Sequence, residues 1–167
     1  MGERLTRSDI EKMQAEIDRL KMHDLPRVRE EIKEARAQGD LSENYEYYAA
    51  RRAKGEMDGR VRYLTNLIKN AVILEDNSAS DEVGINKWVT IRFPEDGSTE
   101  RYKLVTSVRA NSIENRIEEQ SPLAKALKGH HVGDRVHVRV NEDISYDVIV
   151  EKIENTGEEA SDTIKRF

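Results

Sequence analysis

The chain contains no cysteine, which excludes disulfides and thiolate metal sites and suits a reducing compartment. Aromatic residues are scarce: 5% of 167 residues, with 37% apolar against 37% charged. That is a thin core for one compact globule, and extended helices account for the balance better. No apolar run approaches the roughly 18 residues a membrane span needs. The opening MGERLTRSD has no signal-peptide core, so the expectation is a cytoplasmic protein with no membrane partner. The G-x-S-x-G elbow, the P-loop and the dinucleotide fingerprint are also missing.

The chain lacks a positive surplus as well. Its net charge of −5 argues against a nucleic-acid partner at first sight. The charge is unevenly divided, however. Residues 1–74 hold 15 Lys/Arg against 14 Asp/Glu, and the remainder holds 13 against 19. The bases of the first part gather as Arg27, Arg29, Lys33 and Arg36, then Arg51, Arg52 and Lys54. They read either as a binding stripe or as the solvated faces of helices carrying i,i+4 pairs.

Ser8-Asp9-Ile10-Glu11 has capping-box spacing and predicts a helix start. Ile10, Met13, Ile17 and Leu20 follow, and after a break near Asp24 come Val28, Ile32 and Ala35, close to a coiled-coil seam. Pro26 within this run predicts a kink rather than a stop, and Gly39 reads as the glycine that ends the helix. A second helical face runs through Ala49, Ala53, Met57, Val61, Leu64, Ile68 and Ala71. It is interrupted by Gly55 and Gly59, each costing about 1 kcal/mol relative to alanine. Two such runs joined by a few residues make an antiparallel hairpin over 1–75, with about 30 residues per arm spanning roughly 45 Å.

A polar linker, 76–84, separates this hairpin from a change in periodicity. Lys87 to Phe93, Arg101 to Val108, Arg135 to Val140 and Tyr146 to Ile153 alternate like strands. Ser121-Pro122 opens one short helix that Gly129 closes. The fold class is therefore α+β, with an N-terminal helical hairpin and an antiparallel-sheet domain over 85–154. The polar tail 155–167 is expected to fray, although Ile164 and Phe167 are able to dock. His130 and His131 have no nearby third ligand and read as loop residues rather than a zinc site. Trp88 reads as a core or interface anchor.

The chemistry concentrates at the bend, 39–47, where the run GDLSENYEYYAARR sets Asp40, Glu43 and Glu46 among three tyrosines. Asp40 and Glu43 have the spacing of an N-cap and the third helical position, which by itself explains them as a capping pair. The surplus of acid and tyrosine points further. Two carboxylates are too few to hold Mg²⁺ tightly, but they can complete a site begun on another macromolecule.

The tip run, the helices on either side, Ala71-Val72-Ile73-Leu74 and SPLAKALKGHHVGD from Ser121 to Asp134 together resemble the Gre transcript-cleavage factors of bacteria, over about residues 5–154. The resemblance implies a coiled coil that enters the secondary channel of RNA polymerase and an FKBP-like domain that docks at the channel rim. It implies a non-enzyme that stimulates the polymerase's own Mg²⁺-dependent cleavage of backtracked RNA. Asp40 and Glu43 would be the catalytic, metal-assisting pair, and the free protein would bind no cofactor, the Mg²⁺ being shared with the polymerase. Asn44, Glu46 and Tyr47 would support the tip. Arg36, Arg51 and Arg52 would contact the 3′ end of the nascent RNA. The Ser121 to Asp134 motif is largely explained by its own cap, helix and turn. Tyr45 stands where the family usually has a small residue. The protein is expected to be a monomer. Two other readings stay open: a secondary-channel regulator that does not promote cleavage, and a coiled-coil chaperone or adaptor gripping clients with the tip tyrosines.

Overall fold

The computed structural model describes residues 2–39 and 44–166. The chain forms two compact units, one of residues 1–3 and 7–72 and the other of 4–6 and 73–167.

The first unit is a helical hairpin. Its ascending arm comprises α1 (Arg7–Arg19), one π-helical turn (Leu20–Asp24) and α2 (Leu25–Ala37); its descending arm is α3 (Tyr45–Lys69). α1 begins at Arg7, so Ser8 lies inside the helix and the start expected at Ser8 moves one turn-position earlier, with Thr6 preceding the first helical residue. The break near Asp24 has a specific cause. Pro26 donates no hydrogen bond and its ring crowds the preceding turn. The chain answers by widening that turn, the Leu25 N–H donating to the Leu20 carbonyl five residues back. The extra residue carries the seam from Leu20 to Leu25 instead of losing it. Met13, Ile17, Leu20, Leu25, Val28 and Ala35 are all buried, with Ile10 and Ile32 half-buried.

The face of α3 is displaced from its expected start. Tyr47 and Ala50 are buried and Ala49 is exposed, because the seam begins on the tyrosine rather than on the alanine run. Leu64 is fully buried, and Ala53, Met57, Val61 and Ile68 are half-buried. Midway, Arg60 grips Glu16 of the opposite arm with both ends of its guanidinium, at 2.9 and 3.2 Å.

The second unit is a five-stranded sheet of order β5-β4-β3-β7-β6, made of β3 (Trp88–Arg92), β4 (Thr99–Val105), β5 (Arg116–Glu118), β6 (Arg135–Arg139) and β7 (Ser145–Glu154). All neighbours are antiparallel except β4 and β5, which run parallel. β5 was not expected, since three residues with one apolar side chain carry no alternation to read. The strand expected to reach Val108 stops at Val105, and Ser107–Arg109 turn as a 3₁₀ helix. Val72–Ile73, the apolar end of the helical pattern, form a short strand, β2, in a two-stranded ladder with β1 (Arg4–Leu5).

One face of the larger sheet is apolar. Val89, Ile91, Leu104, Val136, Val138, Val148 and Val150 pack with Val83 and with Ala124 and Leu127 of the short helix α4 (Pro122–Leu127). Ser121 caps α4, its hydroxyl accepting from the Ala124 N–H at 3.3 Å. The other face is polar. Register sets Trp88 opposite Lys103 and Lys103 opposite Arg116, a row across three strands on the side away from Leu104 and Val89.

The segment after β7 lies against the sheet domain. Asp162 is 1% exposed and bonded to Lys103 and, at 2.6 Å, to Arg116 Nε; the Lys165 N–H donates to the Val108 carbonyl at 2.8 Å. Of the two residues expected to be able to dock, Ile164 is half-buried and Phe167 lies outside the described residues; the polar segment is anchored mainly by charge, and Lys103 gives no sign in the sequence of being 0% exposed.

Candidate functional site

The end of the hairpin is assembled around one asparagine. α2 closes through Gln38 and Gly39, whose φ of 113° is a backbone region that disfavours any side chain. α3 opens at Asn44, in extended conformation, with its side-chain oxygen accepting from the Tyr47 N–H at 3.1 Å. The same side chain's Nδ2 donates to the Ala35 carbonyl at 2.8 Å. Asn44 thus satisfies one unpaired donor at the start of one arm and one carbonyl near the end of the other. An amide suits both tasks because its donor and its acceptor are separate atoms, Nδ2 and Oδ1, at the end of one short side chain.

This arrangement corrects the capping reading of the acidic pair: the N-cap of α3 is Asn44, four positions after Asp40. Asp40, Leu41, Ser42 and Glu43 lie outside the described residues, so both members of the expected catalytic and metal-assisting pair do too. In the sequence they connect Gly39 directly to Asn44.

Tyr47 is the second fixed point. It is 6% exposed, with the Arg36 guanidinium 5.6 Å from its ring centroid and Arg51 Nη1 donating to its hydroxyl at 3.4 Å. Hydrogen bonding from Arg36 outweighs the effect of burial, and with the charge of Arg51 it holds the phenol below the usual tyrosine range. Tyr48 meets the Tyr47 ring edge-on at 5.4 Å. The three tyrosines therefore differ in role. Tyr47 belongs to the seam, whereas Tyr45 is 87% exposed and Tyr48 about half.

Of the other expected site residues, Glu46 is exposed in the first turn of α3, where the helix dipole favours its charge. Arg36, Arg51 and Arg52 are exposed on the two arms beside this end. The structure brings Arg36 and Arg51 together on Tyr47. The wider basic stripe is partly spent on its own helices: Arg27 lies 3.7 Å from Glu31 and Lys54 2.8 Å from Asp58, both i,i+4 pairs. In the second unit His130 faces Asp134 at 3.1 Å. Among the described residues no group of three or more His, Asp and Glu side chains is arranged to hold a metal ion, and no helix is long and apolar enough to cross a membrane.

Sequence reasoning overlooked the polar face of the sheet. Glu158, Glu159 and Asp162 form an acidic cluster after the last strand, but nothing in the sequence pairs it with Lys103 and Arg116, which become neighbours only when β4 and β5 align.

Comparison with known proteins covers nearly the whole chain. Residues 3–73 match the family model for the N-terminal part of transcription elongation factors, and residues 77–155 match the model for the C-terminal part of GreA/GreB. Transcription elongation factor GreA of Thermotoga neapolitana is 41% identical over 136 residues, 81% of this chain and 87% of that protein. The GreA of Mesomycoplasma hyopneumoniae strain 7448 is 37% identical over 145 residues, 87% of this chain and 91% of that one. Among solved structures, GreA factor homolog 1 of Thermus thermophilus aligns over 93% of this chain and 100% of its own, at 24% identity and a TM-score of 0.44.

Proposed function

This chain belongs to the GreA/GreB family of transcription elongation factors, and from that membership we propose that it inserts the end of its helical hairpin into the secondary channel of RNA polymerase and stimulates cleavage of backtracked nascent RNA. It is not itself the nuclease. It lends Asp40 and Glu43 to a catalytic centre that belongs to the polymerase.

The observation that supports this reading most directly is the identity of the cap. Because Asn44 occupies the N-cap of α3, that helix start does not require Asp40 or Glu43 as its capping residue. As a donor set they are two hard oxygen ligands, which suits Mg²⁺ shared with another macromolecule and is too small for a closed site. A Mg²⁺ ion held there would supply a polarised water and a counter-charge for in-line attack at phosphorus.

The rest is positioning by the chain's own residues. Asn44, next to Glu43 in the sequence, ties the two arms to each other through Ala35 and Tyr47. Tyr47, clamped by Arg36 and Arg51, fixes the first turn of α3. Arg36, Arg51 and Arg52 present cationic side chains to the RNA 3′ end, a contact expected to weaken as salt rises. α3 has 25 residues, about 37 Å of rise, which gives the hairpin the reach of a probe.

The test is Mg²⁺-dependent RNA cleavage in stalled elongation complexes, with and without the protein. Wild-type chain is expected to stimulate cleavage. Asp40→Asn combined with Glu43→Gln is expected to abolish stimulation while leaving polymerase binding nearly intact. Full stimulation by the double variant would refute the assignment of the acidic pair, and binding without stimulation by wild type would favour a non-cleaving regulator.

A further inference from the structure

The polar face of the sheet places two cations side by side. Lys103 and Arg116 are register partners on the parallel strands β4 and β5, and Arg109 reaches in from the neighbouring 3₁₀ helix. All three are at least nine-tenths buried: Lys103 0%, Arg109 3% and Arg116 6% exposed. Like charges on facing strand positions repel, and burying them is costly without a bridging anion. Glu114 pairs with Arg116 and Glu158 with Arg109, which leaves Lys103 and the Nε side of Arg116 to a further carboxylate.

The anion comes from the segment after β7. Asp162 spans the cation pair, with Oδ2 on Lys103 and Oδ1 2.6 Å from Arg116 Nε. Its backbone carbonyl accepts from Arg109. Three residues earlier, Glu159 accepts from Lys103 at 2.9 Å and from the Trp88 indole N–H at 2.7 Å, and Lys103 also donates to the Gly157 carbonyl at 2.7 Å. This segment has no helix or strand, and Asp162 is its one buried side chain among the described residues. Polar contacts to the sheet face, rather than a packed apolar side, are what hold it. It also lies beyond residue 155, where the match to the family's C-terminal model ends.

We propose that the face formed by Trp88, Lys103, Arg109 and Arg116 is a binding site for an acidic peptide segment with carboxylates three residues apart, and that Glu159 and Asp162 occupy it in cis as a displaceable ligand. A partner segment of the same chemistry takes the site when residues 157–165 leave it. The covalent linkage gives the chain's own segment a high effective concentration, so the site is closed by default. This inference goes beyond the transcript-cleavage reading and does not depend on the hairpin end.

The test uses the full chain with Glu159→Gln and Asp162→Asn, which weakens the cis ligand, and a labelled peptide of residues 155–166 added in trans. Anisotropy reports binding, and Trp88, the chain's single tryptophan, reports whether the same face is engaged. The variant is expected to bind the peptide at least tenfold more tightly than wild type does. A peptide carrying Asp162→Asn is expected to bind at least tenfold more weakly. Equal binding by both proteins, or none by a folded variant, overturns the proposal. Should the variant fail to fold, hydrogen exchange on the wild-type chain decides. The amides of Asp162 and Lys165 should exchange at least tenfold faster than that of Val150 in β7, reporting release of the segment from an intact sheet. Exchange in step with Val150 makes the segment an integral part of the domain and overturns the proposal.

Discussion

Replacing Asn44 by alanine removes two hydrogen bonds made by one side chain, and the structure allows each to be weighed. Loss of an N-cap asparagine costs about 1 kcal/mol. Loss of the bond to the Ala35 carbonyl, which is half-screened from water, costs roughly another 1 kcal/mol. Because both bonds act across the same turn, the penalty of about 2 kcal/mol falls on opening of the hairpin end. By the usual conversion that is about a 30-fold loss of exchange protection at the Tyr47 amide. Hydrogen exchange resolved at Tyr47 and Tyr48 measures it directly, with Leu64 as an internal reference deep in the seam. Asn44→Ser separates the two contributions, since the single, shorter Oγ of serine caps the Tyr47 N–H but does not extend to the Ala35 carbonyl as Nδ2 does; it should recover about half of the loss. Stimulated RNA cleavage should fall several-fold in Asn44→Ala while polymerase binding is retained. Protection at Tyr47 within a factor of two of wild type would refute the reasoning that Asn44 holds the arms together.

A Cβ built on Gly55 or Gly59 meets nothing within 4 Å, so Gly55→Ala and Gly59→Ala should each stabilise the helical unit by about 1 kcal/mol; a lower urea midpoint in either variant would contradict this. Burial pushes the Asp162 carboxyl up, but hydrogen bonds from Lys103, the Glu159 N–H and Arg116 more than offset it and hold it below the ordinary value; Glu159 is held low by the Trp88 indole and Lys103. With depressed folded pKa values, the stability these carboxylates contribute is present above the unfolded values near about 4 and is lost as pH falls through the folded ones. The Tm should therefore drop as pH is lowered from about 5 to about 3, and Asp162→Asn should flatten that slope; an unchanged slope in the variant would count against the assignment.

Local patterns carried much of the architecture. The two helical faces are legible because apolar residues return every three or four positions, and α4 is legible because Ser121-Pro122 and Gly129 are strong punctuation for a short helix. The acidic tip and its family resemblance are legible because Gly39 through Arg52 is contiguous. Other features depend on partners distant in the chain. Tyr47 belongs to the seam because Arg36 and Arg51 meet on it. Asn44 became the cap because it also reaches Ala35, nine positions back, a bond that only the closed hairpin offers. β5 exists because β4 supplies its hydrogen bonds.

The amino-acid order alone determined that there are two helical arms, which faces of them are apolar and which charges stand between them, since each of these is set by neighbours within a turn or two. What the tertiary structure decided is the fate of its buried charges. Lys103 and Arg116 are read as surface residues until β4 and β5 align them, and Asp162 as part of a loose tail until it bridges them across 59 and 46 residues of sequence. The physical reason is that a buried charge is tolerable only where its counter-charge arrives, and no local pattern specifies a partner so far along the chain.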